Sequence, residues 1–316
     1  MEVPHRLLSL LKEEERFPIA THISPEADAI GSSLALSMAL EFLGKKTVLY
    51  DKDPVPKICH FLPAYKKFTN VIAPASSSDL VLILLDCNTL KRAGIEGITF
   101  KYSVVIDHHE TEETFGDIKW IVPEAAATGM MIFYLIKELG ITLTRDMAIN
   151  LYAAIAIDTG TFRYGNTTSE VLKTAAELVN AGAHPAYISD SLYETWSQGR
   201  FNLLIKALNT IEVKGNVAIM FVTREMYKKT GTMPEDTEDF PAVPRIMKDV
   251  KVSVFFREID DNYWKVSLRS KGNINVALIA SLFDGGGHRN AAGFVVRSDL
   301  ESVKESLLRA LVTSEE

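Results

Sequence analysis

The chain has 316 residues, with 34 Lys and Arg against 41 Asp and Glu, for a formal net charge of −7. Apolar residues make up 47% and charged residues 24%, a globular composition that excludes a disordered or fibrous chain. The acidic balance argues against wrapping long DNA or RNA, which needs many Lys/Arg–phosphate contacts, but leaves room for a short nucleotide in a local pocket. The length favours two domains over a single core. Two cysteines, Cys59 and Cys87, cannot form a disulfide framework, so a reducing cytosol is expected. No basic segment followed by an apolar core opens the sequence, and its densest apolar stretch (147–157) falls short of the ~20 residues that cross a bilayer. Neither a signal peptide nor a membrane partner is expected.

Along the chain, residues 18–22, 47–51, 79–86 and 102–107 are brief Val/Ile/Leu-rich runs without alternation, the pattern of strands buried on both faces of a parallel sheet. Between them, 29–43 has helical spacing and stops at Gly44, and 124–139 stops at Gly140. A helix is expected over 144–157 behind Thr144, and another opens at a Thr167-x-x-Glu170 capping box and ends near Gly182. Strand–helix alternation of this kind predicts an α/β domain with a parallel sheet over 1–190. Residues 191–212 carry a connector helix (198–211), and 213–316 form a smaller α+β domain. Within it, 217–222 is a strand and 233–244 a Pro- and acid-rich loop. Runs 251–259 and 262–270 form a hairpin around Asp260-Asp261, and 274–283 is a helix ending in glycines. A strand at 294–297 precedes a final helix from Asp299.

The chemistry is carried by acids and imidazoles at predicted element ends. His22 is followed by Glu26 and Asp28, the third strand ends at Asp86, the fourth in Asp107-His108-His109, and helix 144–157 in Asp158-Thr159-Gly160. Ligands of open parallel sheets bind outside the carboxyl ends of the strands. Any one of these residues alone suits a turn or a helix cap, but four segments delivering them to one edge suit a metal centre. Carboxylates crowded together need cations, and a His/Asp set without Cys suits Mn²⁺ or Mg²⁺ rather than structural zinc. Two such ions sharing a carboxylate, ~3.5–4 Å apart, hydrolyse phosphate esters.

The segments His22-Ile-Ser-Pro-Glu26-Ala-Asp28-Ala-Ile-Gly31-Ser32, Leu85-Asp86, Asp107-His108-His109 and Asp158-Thr159-Gly160-Thr-Phe resemble the motifs of the DHH phosphoesterase superfamily, in its order. Gly285-Gly286-Gly287-His288-x-Asn290-Ala-Ala-Gly293 resembles the glycine-rich signature of the DHHA1 domain. The compact two-domain form is similar to the nanoRNase/pAp-phosphatase group, which includes cyclic-dinucleotide phosphodiesterases. The resemblance implies that His22, Glu26 and Asp86 hold one divalent cation and Asp28, Asp86, His108 and Asp158 a second. It implies that His109 lies beside the scissile phosphate, with Asp107 orienting an imidazole. Glu26 departs from the pattern, which has Asp there, so metal affinity or preference is open at that position.

Three glycines before His288 exceed what a helix cap needs and can bring backbone N–H groups to an anion. The resemblance implies that Gly285, Gly286, Gly287 and His288 bind a terminal phosphate or sugar. Arg269 and Ser270 are candidate phosphate or base contacts, with Asn290 in the same loop. A long-strand exonuclease would want a basic groove lined with aromatics. Here Lys45-Lys46, Lys66-Lys67 and Lys228-Lys229 are isolated pairs that read as solvated faces. The expected activity is metal-dependent degradation of short oligonucleotides, with 3′-phosphate removal from adenosine 3′,5′-bisphosphate beside it. Hydrolysis of cyclic dinucleotides is the alternative substrate, and non-catalytic nucleotide binding the alternative of another class. A homodimer is compatible with these readings.

Overall fold

The computed structural model describes residues 1–72, 77–110 and 115–313, which fall into two compact units, Met1–Thr195 and Trp196–Glu316. The first runs α1 (His5–Glu13), β1 (Arg16–Ala20), α2 (Ala27–Phe42), β2 (Lys46–Tyr50), β3 (Phe68–Thr69), β4 (Ser77–Leu85), β5 (Phe100–Asp107) and β6 (Ile118–Ile121). It continues with α3 (Thr128–Glu138), α4 (Arg145–Asp158), α5 (Ser169–Asn180) and α6 (Pro185–Tyr193). The strands form a parallel six-stranded sheet in the order β3-β2-β1-β4-β5-β6. Pro18 lies in an interior strand, yet β1 pairs with β4 only from Ile19 onward, so its missing N–H breaks no ladder there.

The apolar runs are buried as the sequence predicts: Val81 to Leu85 and Val104 to Ile106 are all inaccessible. Helix α2 is buried over most of its length, and Gly31 explains how. A Cβ there would stand 2.4 Å from the Asn150 carbonyl, so α4 crosses α2 at backbone contact. Elsewhere the boundaries shift. Helix α3 starts at Thr128 rather than residue 124, and the cap of α5 is Thr168, which accepts from Val171 N, rather than Thr167. Helices α1 and α6 and strand β6 are additions to the sequence reading.

The second unit contains α7 (Gln198–Leu208), β7 (Glu212–Lys214), β8 (Val217–Val222), α8 (Arg224–Thr230), β9 (Val252–Asp260), β10 (Tyr263–Ser270), α9 (Val276–Ser281), β11 (Gly286–His288), β12 (Ala291–Arg297) and α10 (Leu300–Thr313). Its mixed sheet has the order β11-β12-β10-β9-β8-β7, parallel between β8 and β9 and otherwise antiparallel. Helix α7, expected as part of a connector, packs Leu203 and Ala207 against Met220, Val222, Phe240 and Phe255 of its own unit. The expected loop over 233–244 contains short 3₁₀ turns that seat Phe240 in that cluster, fully buried. The expected glycine loop is strand β11, paired Gly286 to Gly293 and His288 to Ala291. Among the described residues no helix is long and apolar enough to cross a membrane.

Candidate metal centre

The carboxyl ends of β1, β4 and β5, the first turn of α2 and the end of α4 meet at one sheet edge. Asp86 follows β4 directly, in a left-handed conformation (φ 56°) that Asp tolerates through its short polar side chain. Its carboxylate lies 3.5 Å from His22 Nε2, 3.5 Å from His108 Nε2 and 3.6 Å from His109 Nδ1. His108 Nε2 also lies 3.1 Å from Asp158 and 3.7 Å from Asp28. Its other ring nitrogen, Nδ1, donates to the Ala125 carbonyl, which aims Nε2 at the acids. Among the described residues, two tight groups could each hold a metal ion: Asp28 with His108 and Asp158, and Asp86 with His108 and His109.

His108 Nε2 is buried and makes no hydrogen bond, although three carboxylates surround it at 3.1–3.7 Å. A buried donor or acceptor left without a partner costs ~1–3 kcal/mol, and a cation shared by these atoms removes that cost. The titration behaviour points the same way. Burial pulls the His108 pKa down, but Asp158, then Asp28 and Asp86, override it and raise it to about 10. Burial, then the charges of Asp158 and Asp86, push Asp28 well above the ordinary carboxylate range. Burial works against ionised Asp86 too, but His22, His108 and His109 hold its pKa below the ordinary value. Three acids and three imidazoles here compete for too little positive charge, and His/Asp donors of this kind fit divalent first-row ions or Mg²⁺.

Asp28 is positioned by groups that the sequence reading passed over. Its oxygens accept from Thr128 N at 2.7 Å and Gly129 N at 2.8 Å, the opening N–H groups of α3, and from Ser32 Oγ at 3.0 Å. Thr128 Oγ1 donates to Asp86 at 3.0 Å, so one residue holds both carboxylates. A Cβ at Gly129 would stand 2.6 Å from Ala154 Cβ and 3.3 Å from Asp28 Oδ1. Gly129→Ala is therefore expected to destabilise the protein by ~1–3 kcal/mol and to lower activity more than stability alone explains, measured as melting temperature and turnover on one preparation. Thr128 and Gly129 carry no titratable group. Their sequence signal was the small-residue run Ala125-Ala-Ala-Thr-Gly129 where a helix had to begin.

The remaining expected residues divide. Asp107 is fully buried and accepts from His109 Nδ1 at 2.8 Å and His109 N at 3.1 Å, leaving His109 Nε2 pointing away on a half-exposed ring. That contact, then Asp86, raises the His109 pKa against the effect of burial. His22 meets the cluster through Asp86, 3.5 Å from its Nε2, and its Nδ1 bonds the Ile23 carbonyl. Glu26, at the N-cap of α2, belongs to neither tight group and makes no capping bond. Desolvation beside the cluster, then Asp158 and Asp86, raises its pKa.

In the second unit, Ser270 is 1% exposed and its hydroxyl donates to the Ile274 carbonyl and to Asn290 Oδ1, so it braces the hairpin instead of facing a ligand. Arg269 lines a cavity of about 370 Å³ with Arg257, Lys265 and Ser267. Two of the three glycines answer to packing. A Cβ at Gly285 would stand 2.3 Å from the Gly293 carbonyl, and one at Gly287 (φ 143°) 2.5 Å from the Ala291 carbonyl. Gly286 has open space around it and His288 is exposed, which leaves these two accessible to a ligand.

Comparison with known proteins agrees with this geometry. A family model described as DHH family, N-terminal domain, matches residues 16–155, and a DHHA1 domain model matches residues 198–313. The chain is 35% identical over 296 residues to the bifunctional oligoribonuclease and PAP phosphatase NrnA of Thermus thermophilus, covering 93% of this chain and 88% of that protein. It is 28% identical over 295 residues to the protein of the same name from Bacillus subtilis, covering 88% of each. An exopolyphosphatase-related protein from Bacteroides fragilis superposes with a TM-score of 0.88 at 27% identity, over 98% of this chain and 95% of that one.

Proposed function

The chain belongs to the DHH family of phosphoesterases, with a DHHA1 domain as its second unit, and from that premise we propose that it degrades short oligonucleotides to mononucleotides. On the same reading it removes the 3′-phosphate of adenosine 3′,5′-bisphosphate, the activity named for its relatives. The observation that carries the proposal is His108 Nε2, buried and unbonded among Asp28, Asp86 and Asp158. Asp28, Asp86, His108 and Asp158 would hold one divalent ion, and Asp86 with His22 and Glu26 a second, both Mn²⁺ or Mg²⁺. When bound, such ions activate water and offset charge on the phosphoryl oxygens.

The protein's own groups do the rest. Asp107 fixes the His109 ring through Nδ1 and favours its protonated form, so Nε2 can donate to a phosphoryl oxygen or to the departing sugar oxygen. Thr128 keeps Asp28 and Asp86 in register. Gly286, His288 and Arg269 would contact the nucleotide, with Ser270 and Asn290 bracing the segment that carries them. The free, buried Cys59 and Cys87 suit a reducing cytosol.

A rate panel of di- to pentanucleotides, adenosine 3′,5′-bisphosphate and cyclic dinucleotides, with Mn²⁺, Mg²⁺ or EDTA, tests the reading. Turnover of the short oligonucleotides and the bisphosphate, abolished by EDTA, is expected. Preferred hydrolysis of cyclic dinucleotides would replace the substrate, and no turnover of any of them would leave a nucleotide-binding protein. Titrating metal into wild type and Glu26→Asp is expected to give equal affinity and rate, as for a tolerated swap of one hard oxygen ligand for another, and tighter binding in the variant would mean that Glu26 weakens the metal site.

A further inference from the structure

A second cavity, of about 470 Å³, lies beyond the carboxyl ends of β2 and β3, on the sheet edge that carries the metal centre. Two lysines from separate segments line it, Lys52 after β2 and Lys66 before β3. Among the described residues neither takes part in an ion pair with a carboxylate, which is unusual for paired cations on a chain of net charge −7. Asp53 lines the same cavity without pairing with either lysine, and its Oδ2 accepts from Ser24 N at 2.9 Å. That bond ties the cavity to the loop running from His22 to Glu26. A stacked ring pair completes it: His60 and Tyr65 lie with centroids 4.5 Å apart and planes 14° from parallel, and Lys66 Nζ stands 5.9 Å from the Tyr65 centroid. His60 Nε2 donates to the Val55 carbonyl at 3.0 Å, which holds the stack in place, and Asn70 offers an amide at the rim.

Two cations without carboxylate partners, a fixed ring pair and an amide in a cavity of this size match one nucleotide unit, whose charge is on the phosphodiester and whose base offers a π-face to an aromatic's free face. We infer that this cavity is a nucleotide subsite: it receives the unit next to the one being hydrolysed, with the phosphodiester on Lys52 and Lys66 and the base on the His60–Tyr65 pair. The inference rests on the functional reading above and deepens it, because it separates the two substrates. Adenosine 3′,5′-bisphosphate has a single nucleoside and leaves the cavity empty, whereas an oligonucleotide fills it. The Lys66-Lys67 pair, which reads as a solvated face along the sequence, divides its roles in the fold. Lys67 pairs with Glu41 and Lys66 faces the cavity.

The test uses the full chain carrying Lys52→Ala and Lys66→Ala together, and separately His60→Ala. In EDTA, anisotropy of a fluorescent pentaribonucleotide reads the cavity without turnover, and the lysine pair is expected to weaken binding by about tenfold. With Mn²⁺, kcat/KM for the pentanucleotide relative to that for the bisphosphate is expected to fall by about tenfold, through KM. His60→Ala should lower the same ratio. Equal pentanucleotide affinity in wild type and the lysine variant overturns the subsite, whatever the enzyme turns over. Failure of the wild type to hydrolyse either substrate overturns the functional reading instead, and the anisotropy still decides the cavity.

Discussion

Asp86→Asn is expected to reduce turnover by at least about a thousandfold while leaving the protein folded. Among the described residues only Asp86 lies within 4 Å of all three imidazoles of the centre. Asn keeps nearly the same shape, tolerates the left-handed φ of 56°, and still offers an oxygen to Thr128 Oγ1. The substitution therefore removes one negative charge and little else. A thousandfold corresponds to about 4 kcal/mol of transition-state stabilisation, a fair share for an anionic group that would hold divalent cations at a phosphoryl centre. In EDTA the variant should melt slightly below wild type, because the imidazoles that lower the Asp86 pKa lose their partner. Added Mn²⁺ should raise its melting temperature far less than that of wild type. Turnover above a tenth of wild type, with normal circular dichroism, would remove Asp86 from the centre.

Much of this architecture is legible in the sequence because a parallel sheet writes itself plainly. Val81 to Leu85 and Val104 to Ile106 are apolar at every position since both faces of the sheet are covered. The acids and imidazoles then stand out as polar residues placed directly after apolar runs. What escapes is local and weakly encoded. Helix α1 starts behind Pro4 with no side-chain cap, and β6 is four residues long, so neither carries a start signal or enough periodicity. Thr167 and Thr168 are both good caps, and only the bond to Val171 N distinguishes them.

The glycine run shows a deeper limit. Glycine permits both a ligand-cradling loop and a tightly paired strand, and its sequence is identical for either. Contacts at Gly285 and Gly287 with β12 decide for the strand. The role of Thr128 is weakly encoded for another reason: beyond the small-residue run around it, it acts through a backbone N–H and a hydroxyl, groups that every threonine carries. Lys52 and Lys66 are 14 positions apart in the sequence. Only the return of the chain to form β3 beside β2 brings them to one cavity.

Removing metal should make stability fall as pH rises, and restoring it should flatten the fall. His108 titrates near 6.5 when unfolded and at about 10 in the metal-free fold. A raised folded value means that the native state binds the proton more tightly. The stabilisation is then complete below about pH 6.5 and is lost progressively as pH climbs toward 10. His22 and His109, both raised, act in the same direction. Asp28, also raised, does so too, since burial and the nearby Asp158 and Asp86 favour its protonated form. A divalent ion held here would take the place of those protons, and its apparent affinity would rise up to tenfold per pH unit for each one displaced. Melting temperatures measured from pH 6.5 to 8.5 in EDTA and in Mn²⁺ should therefore diverge, by several degrees at the alkaline end. Curves that stay parallel or converge would mean that the cation does not displace protons from this cluster. In the metal-free fold, protons held on His108 and Asp28 offset part of the crowded negative charge. A centre that holds cations in place of those protons would give up stability when they are withheld, and more of it at each step in pH.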